Sequence, residues 1–465
     1  IKEGGQHEYN GIYTDEYTER IAFPIGGLGT GMYCIEGTGY FSHMSIRHQP
    51  DVFNEPGMFA AIHVKGLENG AKVLEGPVAQ WRKFGAPLSG LGGPGGANYG
   101  LTRFTESAFE ARFPFGTVTL KDEDIPLDVA ITGWNPFIPG DADNSSLPVG
   151  VIEYTFKNTS GKQLETVFSF NSRNFMRRDH GKNSIKPIAN GFILSQEGTT
   201  DIPHNQGEFA IFTDQPGTVV NHCWFRGGWF DGLTMAWNAI KAGDMVQKAP
   251  VEENAPGASL YVPLSLNAGE EKTVRVYTAW HVPYSHLRIG GDPADFRDNN
   301  VPEERLQQEL DNKDNYRPWY SSKFGNIKDV CTYLTGNYAD LYNRTRLFTE
   351  AFYNSSLPAE VLEAVSANLT ILKSPTVMRV YDGRLWNWEG CGDTWGSCHG
   401  SCTHVWNYAQ AIPHLFPALE RTLRQTEFEE SQNKAGHQTF RSNLPIRPVE
   451  HGFHAAADGQ MGGII

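Results

Sequence analysis

The feature that most constrains this chain is a change of apolar period near residue 310. Before it, short runs alternate between apolar and polar residues. After it, apolar residues recur at helical spacing. Val151-Ile152-Glu153-Tyr154-Thr155-Phe156 alternates and runs into the turn signal Asn158-Thr159-Ser160-Gly161, and Glu165-Thr166-Val167-Phe168-Ser169-Phe170 reads as the returning strand. Further strands are expected at 104–113, 117–120, 208–212 and 273–280. Successive side chains of a strand point to opposite faces, so such runs bury one face. No regular helical pattern of about 10–15 residues separates them, which favours antiparallel sheets in a sandwich over a βαβ fold.

Past residue 325 the reading is helical. Residues 326–349 are expected as one helix or a pair. A second helix starts at Pro358, which suits a first turn, and carries Val361, Leu362, Val365, Leu369 and Leu372. A third is expected over about 404–425, with Val405, Trp406, Ala409, Ile412, Leu415 and Leu419 in its stripe and Pro413 bending or capping it. Between the two regimes, 286–325 is punctuated by Gly290, Gly291, Asp292, Pro293 and Asp295, with a short polar helix at 302–311. The expected division is a β-sandwich over 1–310, a linker over 311–325 and a helical domain over 326–465. The last portion stops on Gly463-Ile464-Ile465, an apolar tail without a polar cap. The helical domain is therefore expected to continue beyond residue 465 or in another chain.

Composition narrows the function classes. A net charge of -14 disfavours a nucleic-acid backbone as partner, and no long Lys/Arg run is present. No stretch approaches the ~18 apolar residues that a transmembrane helix needs. The chain opens Ile1-Lys2-Glu3-Gly4 with no initiator Met, so a leader is open to question and no compartment is assigned. Fifty glycines and 12% aromatic residues suit tight turns and a site where flat rings cover apolar sugar faces.

The densest chemical segment is Trp386-Asn387-Trp388-Glu389-Gly390-Cys391-Gly392-Asp393. Glu389 beside two tryptophans suits a sugar pocket as nucleophile, general acid or hydroxyl ligand, against the plain alternative of a surface carboxylate beside core aromatics. Glycoside hydrolysis needs two carboxyl groups, and Asp393 and Asp458 are the candidates for the second. Asp458 has small neighbours in Ala455-Ala456-Ala457-Asp458-Gly459-Gln460, and Asp393 reads equally as a cap or turn residue. Cys391, Cys398, His399, Cys402 and His404 are metal-like residue types, but their spacing is not a strong zinc pattern. Buried thiols or one local disulfide are the simpler readings.

The glycine-rich runs 24–31 and 90–96 lack a Walker lysine and a βαβ context, so they read as turns or close backbone approaches. Trp134-Asn135-Pro136-Phe137-Ile138-Pro139-Gly140 reads as a rigid loop that packs on the helical part. Arg47-His48-Gln49-Pro50-Asp51 is a polar loop within possible reach of a ligand.

Glu19-Arg20-Ile21-Ala22-Phe23-Pro24-Ile25-Gly26-Gly27-Leu28-Gly29-Thr30-Gly31, followed by Arg47-His48-Gln49, resembles the amino-terminal domain of glycoside hydrolase family 116. Gly133-Trp134-Asn135-Pro136-Phe137-Ile138-Pro139 resembles a second block of that domain. Trp388-Glu389-Gly390 resembles the nucleophile region of the catalytic domain, and Phe416-Pro417-Ala418-Leu419-Glu420 the helix after it. The resemblance implies an antiparallel β-sandwich packed on an (α/α)6 barrel that is only partly present in this chain. It implies a retaining, exo-acting β-glycosidase for β-glucosides or related β-glycosides, with no metal or organic cofactor. Glu389 falls on the nucleophile. Asp458 falls on an aspartate that binds sugar hydroxyls. The acid/base aspartate is expected beyond residue 465.

Trp388, Trp386, His404, Asp393 and Arg47 complete the expected substrate-binding set. The Cys391–Thr403 segment is longer and richer in cysteine than the family pattern, and Thr403 or His404 stands where the family has an aspartate. An inverting hydrolase on a similar frame and a non-catalytic glycan-binding protein are the alternatives.

Overall fold

The computed structural model describes residues 8–84, 98–291, 300–311, 314–452 and 454–465. The alternating runs form two facing antiparallel sheets. One has nine strands, whose centre is Leu127–Trp134, Val149–Asn158, Glu271–His281 and Gly207–Thr213. The other has five, centred on Gly257–Leu266, Leu164–Arg173 and Met58–Val64. The expected hairpin partner of 151–156 falls in the opposite sheet: Val149–Asn158 pairs with Glu271–His281 and Leu127–Trp134, while Leu164–Arg173 pairs with Gly257–Leu266. The turn signal at 158–161 therefore marks a crossing from one sheet to the other. Tyr154 and Phe156 of the first sheet meet Phe168 of the second at 4.9 and 5.9 Å between ring centroids. Burying the apolar faces of both sheets against each other is what chiefly stabilises a sandwich.

The sandwich domain also contains a helix that the alternation concealed. Gly232–Ala242 is capped by the Asp231 carboxylate on the Thr234 N–H at 2.8 Å and ended by Gly243 at φ +72°. It buries Ala236, Trp237 and Ile240 against Phe59, Val167 and Tyr261. This corrects the expectation that no helical stretch of that length lies among the strands. Its apolar face is narrow and directly follows Trp229-Phe230, which blurs the period.

The outer face of the nine-stranded sheet is apolar as well. Helix Ile327–Tyr353 lies on it, with Ile327, Val330, Leu334 and Leu341 against Trp134, Val151, Phe212 and Tyr277. Residues 326–349 thus form one helix rather than a pair. The 134–140 loop packs into this seam as expected: Phe137 meets Phe113, Phe348 and Phe416 at 4.8–5.4 Å. Helix Ala359–Leu369 follows Pro358. The expected third helix is three pieces instead, Thr403–Trp406, Ala411–Leu415 and Pro417–Glu429. Pro413 sits inside the second piece, and Pro417 opens the third at a position where its missing N–H costs nothing. The short polar helix is found at Glu303–Asp311. None of the described helices is long and apolar enough to cross a membrane.

The first glycine-rich run is a close approach between the two parts. Gly29 has φ +73°, and a Cβ there would lie 2.4 Å from the Arg379 backbone nitrogen. Gly29→Ala is expected to cost about 2–4 kcal/mol, combining left-handed strain with displacement of strand Val377–Arg379. Chemical denaturation measures this, and a wild-type midpoint would show that the approach is not made. The second run, 90–96, lies outside the described residues.

Lys373 closes the seam from the helical side. It is 1% exposed, sits 5.2 Å from the Phe23 ring and 5.3 Å from the Phe113 ring, and its Nζ has no hydrogen-bond partner. Burial pushes its ammonium down to about 7.

Candidate functional site

Glu389 sits where strand Leu385–Asn387 passes into a hairpin, whose arms Gly390–Cys391 and Gly396–Ser397 pair antiparallel. Its backbone N–H donates to the carbonyls of Ser397 at 3.1 Å and Cys398 at 3.0 Å. Trp386 and Trp388 lie beneath the hairpin. Their rings meet edge to face at 4.9 Å, Trp386 is fully buried, and Trp388 is 7% exposed. Gly396 lies directly on Trp388, since a Cβ there would fall 1.9 Å from the ring. The indole N–H of Trp406 donates to the Trp388 carbonyl at 3.2 Å. Both tryptophans therefore brace the backbone that carries Glu389, and Trp386 offers no surface to a ligand.

The Glu389 side chain is one quarter exposed and lines a cleft of about 660 Å³. The other walls are largely apolar: Phe348 and Phe352 of the long helix, Leu369, Leu372, Trp406 and Leu415. Glu389 is the one acidic residue among the described residues lining the cleft. Its charged partner is Arg441, with Nη2 at 3.7 Å from Oε2. Arg441 is fixed in turn by donating to the His399 carbonyl at 2.7 Å and lies over Phe440. A guanidinium at this distance attracts the carboxylate and steadies it at the mouth of the cleft.

Phe440 links this pair to a second polar pair. Its ring is 5.0 Å from His404, whose Nδ1 shares a hydrogen bond with Asp458 Oδ2 at 2.8 Å. That bond to His404 is the main cause holding the Asp458 carboxyl below its usual range. Asp458 stands in the first turn of Ala457–Ile464, and Asn407 ties this helix to the Thr403–Trp406 turn by donating to the Gly459 carbonyl at 2.6 Å.

Asp393 is exposed at the hairpin tip, where its carbonyl accepts the Val52 N–H at 2.9 Å. This contact brings the sandwich loop after Arg47 against the hairpin. Arg47 itself donates to the carbonyls of His204, Asn205 and Met176 at 3.1–3.2 Å.

The structure thus joins Glu389 to Arg441, joins His404 to Asp458 with Phe440 between the pairs, and leaves Arg47 on the sandwich. All six cysteines are free, Cys391 and Cys398 exposed and Cys402 buried. Among the described residues, no group of three or more His, Cys, Asp or Glu is placed to hold a metal. Arg441, Phe440 and Asn407 carry no local signal in the sequence. The segment around Phe440 and Arg441 has no helical or strand period, and their roles come only from tertiary contact.

The amino-terminal family model of glycosyl-hydrolase family 116, described as β-glucosidase 2, matches residues 22–341. The chain belongs to family 116. No curated protein matches it. Among solved structures it is similar to a human-microbiome protein assigned as a kojibiose phosphorylase, with 11% identity, TM-score 0.34, and coverage of 78% of this chain and 35% of that one. It is also similar to a polysaccharide lyase, with 11% identity, TM-score 0.25, and coverage of 64% and 34%. A third is a family 92 α-mannosidase of Bacteroides thetaiotaomicron, with 10% identity, TM-score 0.30, and coverage of 81% and 43%. This family 116 chain spans 34–43% of the length of these three structures.

Proposed function

We propose that this family 116 chain forms part of a retaining, exo-acting β-glycosidase for β-glucosides or related β-glycosides. The observation that carries the reading is Glu389, fixed by two backbone bonds, facing a cleft and paired with Arg441 in a member of that family. In this scheme a Glu389 oxygen attacks the anomeric carbon as the bond to the leaving oxygen breaks, and a second carboxyl group gives that oxygen its proton. Water then attacks the glycosyl-enzyme, passes its proton to the same second carboxylate and frees Glu389. The second carboxyl group comes from outside the described lining of the cleft, in the rest of an (α/α)6 barrel. Asp458, oriented by His404, reads sugar hydroxyls, with Asp393 contributing from the hairpin, Arg47 from the sandwich loop, and Trp386 and Trp388 acting from below as braces. No metal or organic cofactor enters the scheme.

A 2-deoxy-2-fluoro β-glucoside with a good leaving group tests it in the complete protein. The fluorine slows hydrolysis of the intermediate, so the expected result is a covalent fluoroglucosyl adduct on Glu389, located by peptide mass spectrometry. An adduct on another carboxylate would remove Glu389 from the role.

A further inference from the structure

A second cavity lies on the sandwich side of the hairpin. It encloses about 150 Å³ between the 44–56 loop and Phe175, Met176 and Arg178. A single water needs only ~10–15 Å³ of such space, so there is room here for a ligand the size of a sugar ring. Its loop is fixed before any ligand arrives. Ser45 Oγ donates to the Asp51 carbonyl and accepts the Asp51 N–H, and Asn54 bonds both the N–H and the carbonyl of Met44.

The polar groups on this rigid loop are incompletely used by the protein. Arg47 has five N–H donors and spends three on backbone carbonyls, leaving two. Among the described residues, the Asp51 carboxylate and the Gln49 amide have no hydrogen-bond partner. Glu55 is different, since its carboxylate is taken by Arg82, Tyr99 and Tyr40. Two guanidiniums, Arg47 and Arg178, and two carboxylates, Asp51 and Glu55, line the cavity, so its formal charge balances. Donors and acceptors side by side match a hydroxyl group, which accepts from one and donates to the other. Phe175 adds an aromatic wall. The position also matters: Val52, between Asp51 and Asn54, is hydrogen-bonded to Asp393 of the hairpin that begins at Glu389.

We infer that this cavity binds a neutral pyranose, serving as a subsite for the leaving-group sugar of a glycoside. The placement as a subsite rests on the glycosidase reading, whereas the binding of a sugar does not.

The test is titration of the protein with cellobiose, and separately with sodium sulfate, by isothermal calorimetry. Wild type, Asp51→Ala and Gln49→Ala are compared, with melting temperatures recorded. Neither substitution removes a group whose side chain holds the fold. Cellobiose is expected to bind the wild type, and each variant to weaken it ~10-fold, the loss of about one well-placed hydrogen bond, at unchanged melting temperature. Equal affinity in all three proteins, or a cavity that takes sulfate in preference to cellobiose, overturns the inference. Absence of cleavage of aryl β-glycosides by the complete wild-type protein would sink the glycosidase reading, while loss of sugar binding in the variants would still establish the pocket.

Discussion

Glu389→Gln is expected to lower turnover of an aryl β-glucoside at least about a thousandfold while leaving the fold intact. Gln has the shape of Glu but no charge, so it is a far poorer nucleophile. It keeps an amide oxygen for Arg441 at the same place, so the hairpin loses little. The backbone bonds from residue 389 to Ser397 and Cys398 do not involve the side chain. Melting temperature is expected to shift by no more than a few degrees. A companion variant separates chemistry from placement. In Glu389→Ala, azide can enter the space and displace the leaving group itself. Restored release of the leaving group, with a glycosyl azide of inverted configuration, is the expected product. Wild-type turnover in Glu389→Gln would defeat the nucleophile role.

Lys373→Met is expected to stabilise the protein at neutral pH. The ammonium has no hydrogen-bond partner and falls from 10.5 to about 7 through burial. Such a fall corresponds to roughly 4–5 kcal/mol lost on burying the charge. Unfolded, the lysine keeps its proton to about pH 10, whereas folded it gives it up near 7. Stability therefore rises with pH between about 7 and 10.5, and the full penalty applies below 7. The rings of Phe23 and Phe113 oppose this by attracting a cation, worth up to about 2 kcal/mol or more when desolvated. Desolvation outweighs that attraction, so a net gain of about 2 kcal/mol is expected for Met, together with a flatter stability profile between pH 7 and 10. Denaturant midpoints across that range decide it. A destabilised Met variant would show that the cation–ring attraction wins.

Much of the frame was legible in the sequence because period is a local property. The runs around Val151–Phe156 and Thr273–Trp280 declared their faces, and Asn326–Thr349 declared its helix. What failed was local ambiguity settled by distant packing. The helix at Gly232–Ala242 is held by Phe59 and Tyr261, far away in sequence. The 403–429 stretch carries one apolar stripe yet breaks into three, and Pro417 accounts for the second break by starting a new helix. Which sheet a strand joined was equally hidden, as the turn at 158–161 shows. At the candidate site, Glu389 was picked out by its motif, and the structure sets it at a cleft. His404 and Asp458 were both named, but nothing in the chain announced that they touch. Arg441 was invisible, since a charge in an aperiodic segment looks like solvent-facing chain until folding places it beside a carboxylate.

The nine-stranded sheet is a wall shared by two cores. One face carries Tyr154 and Phe156 toward the second sheet, and the other carries Trp134, Phe212 and Tyr277 under the long helix. Cutting the chain at the point where its period changes would thus not release an independent unit. It would strip the cover from a wide aromatic surface, the kind that drives association in water. The boundary that is sharpest in the sequence is consequently a poor place to divide the molecule, and the two halves are better regarded as one cooperative body whose melting is coupled through that wall.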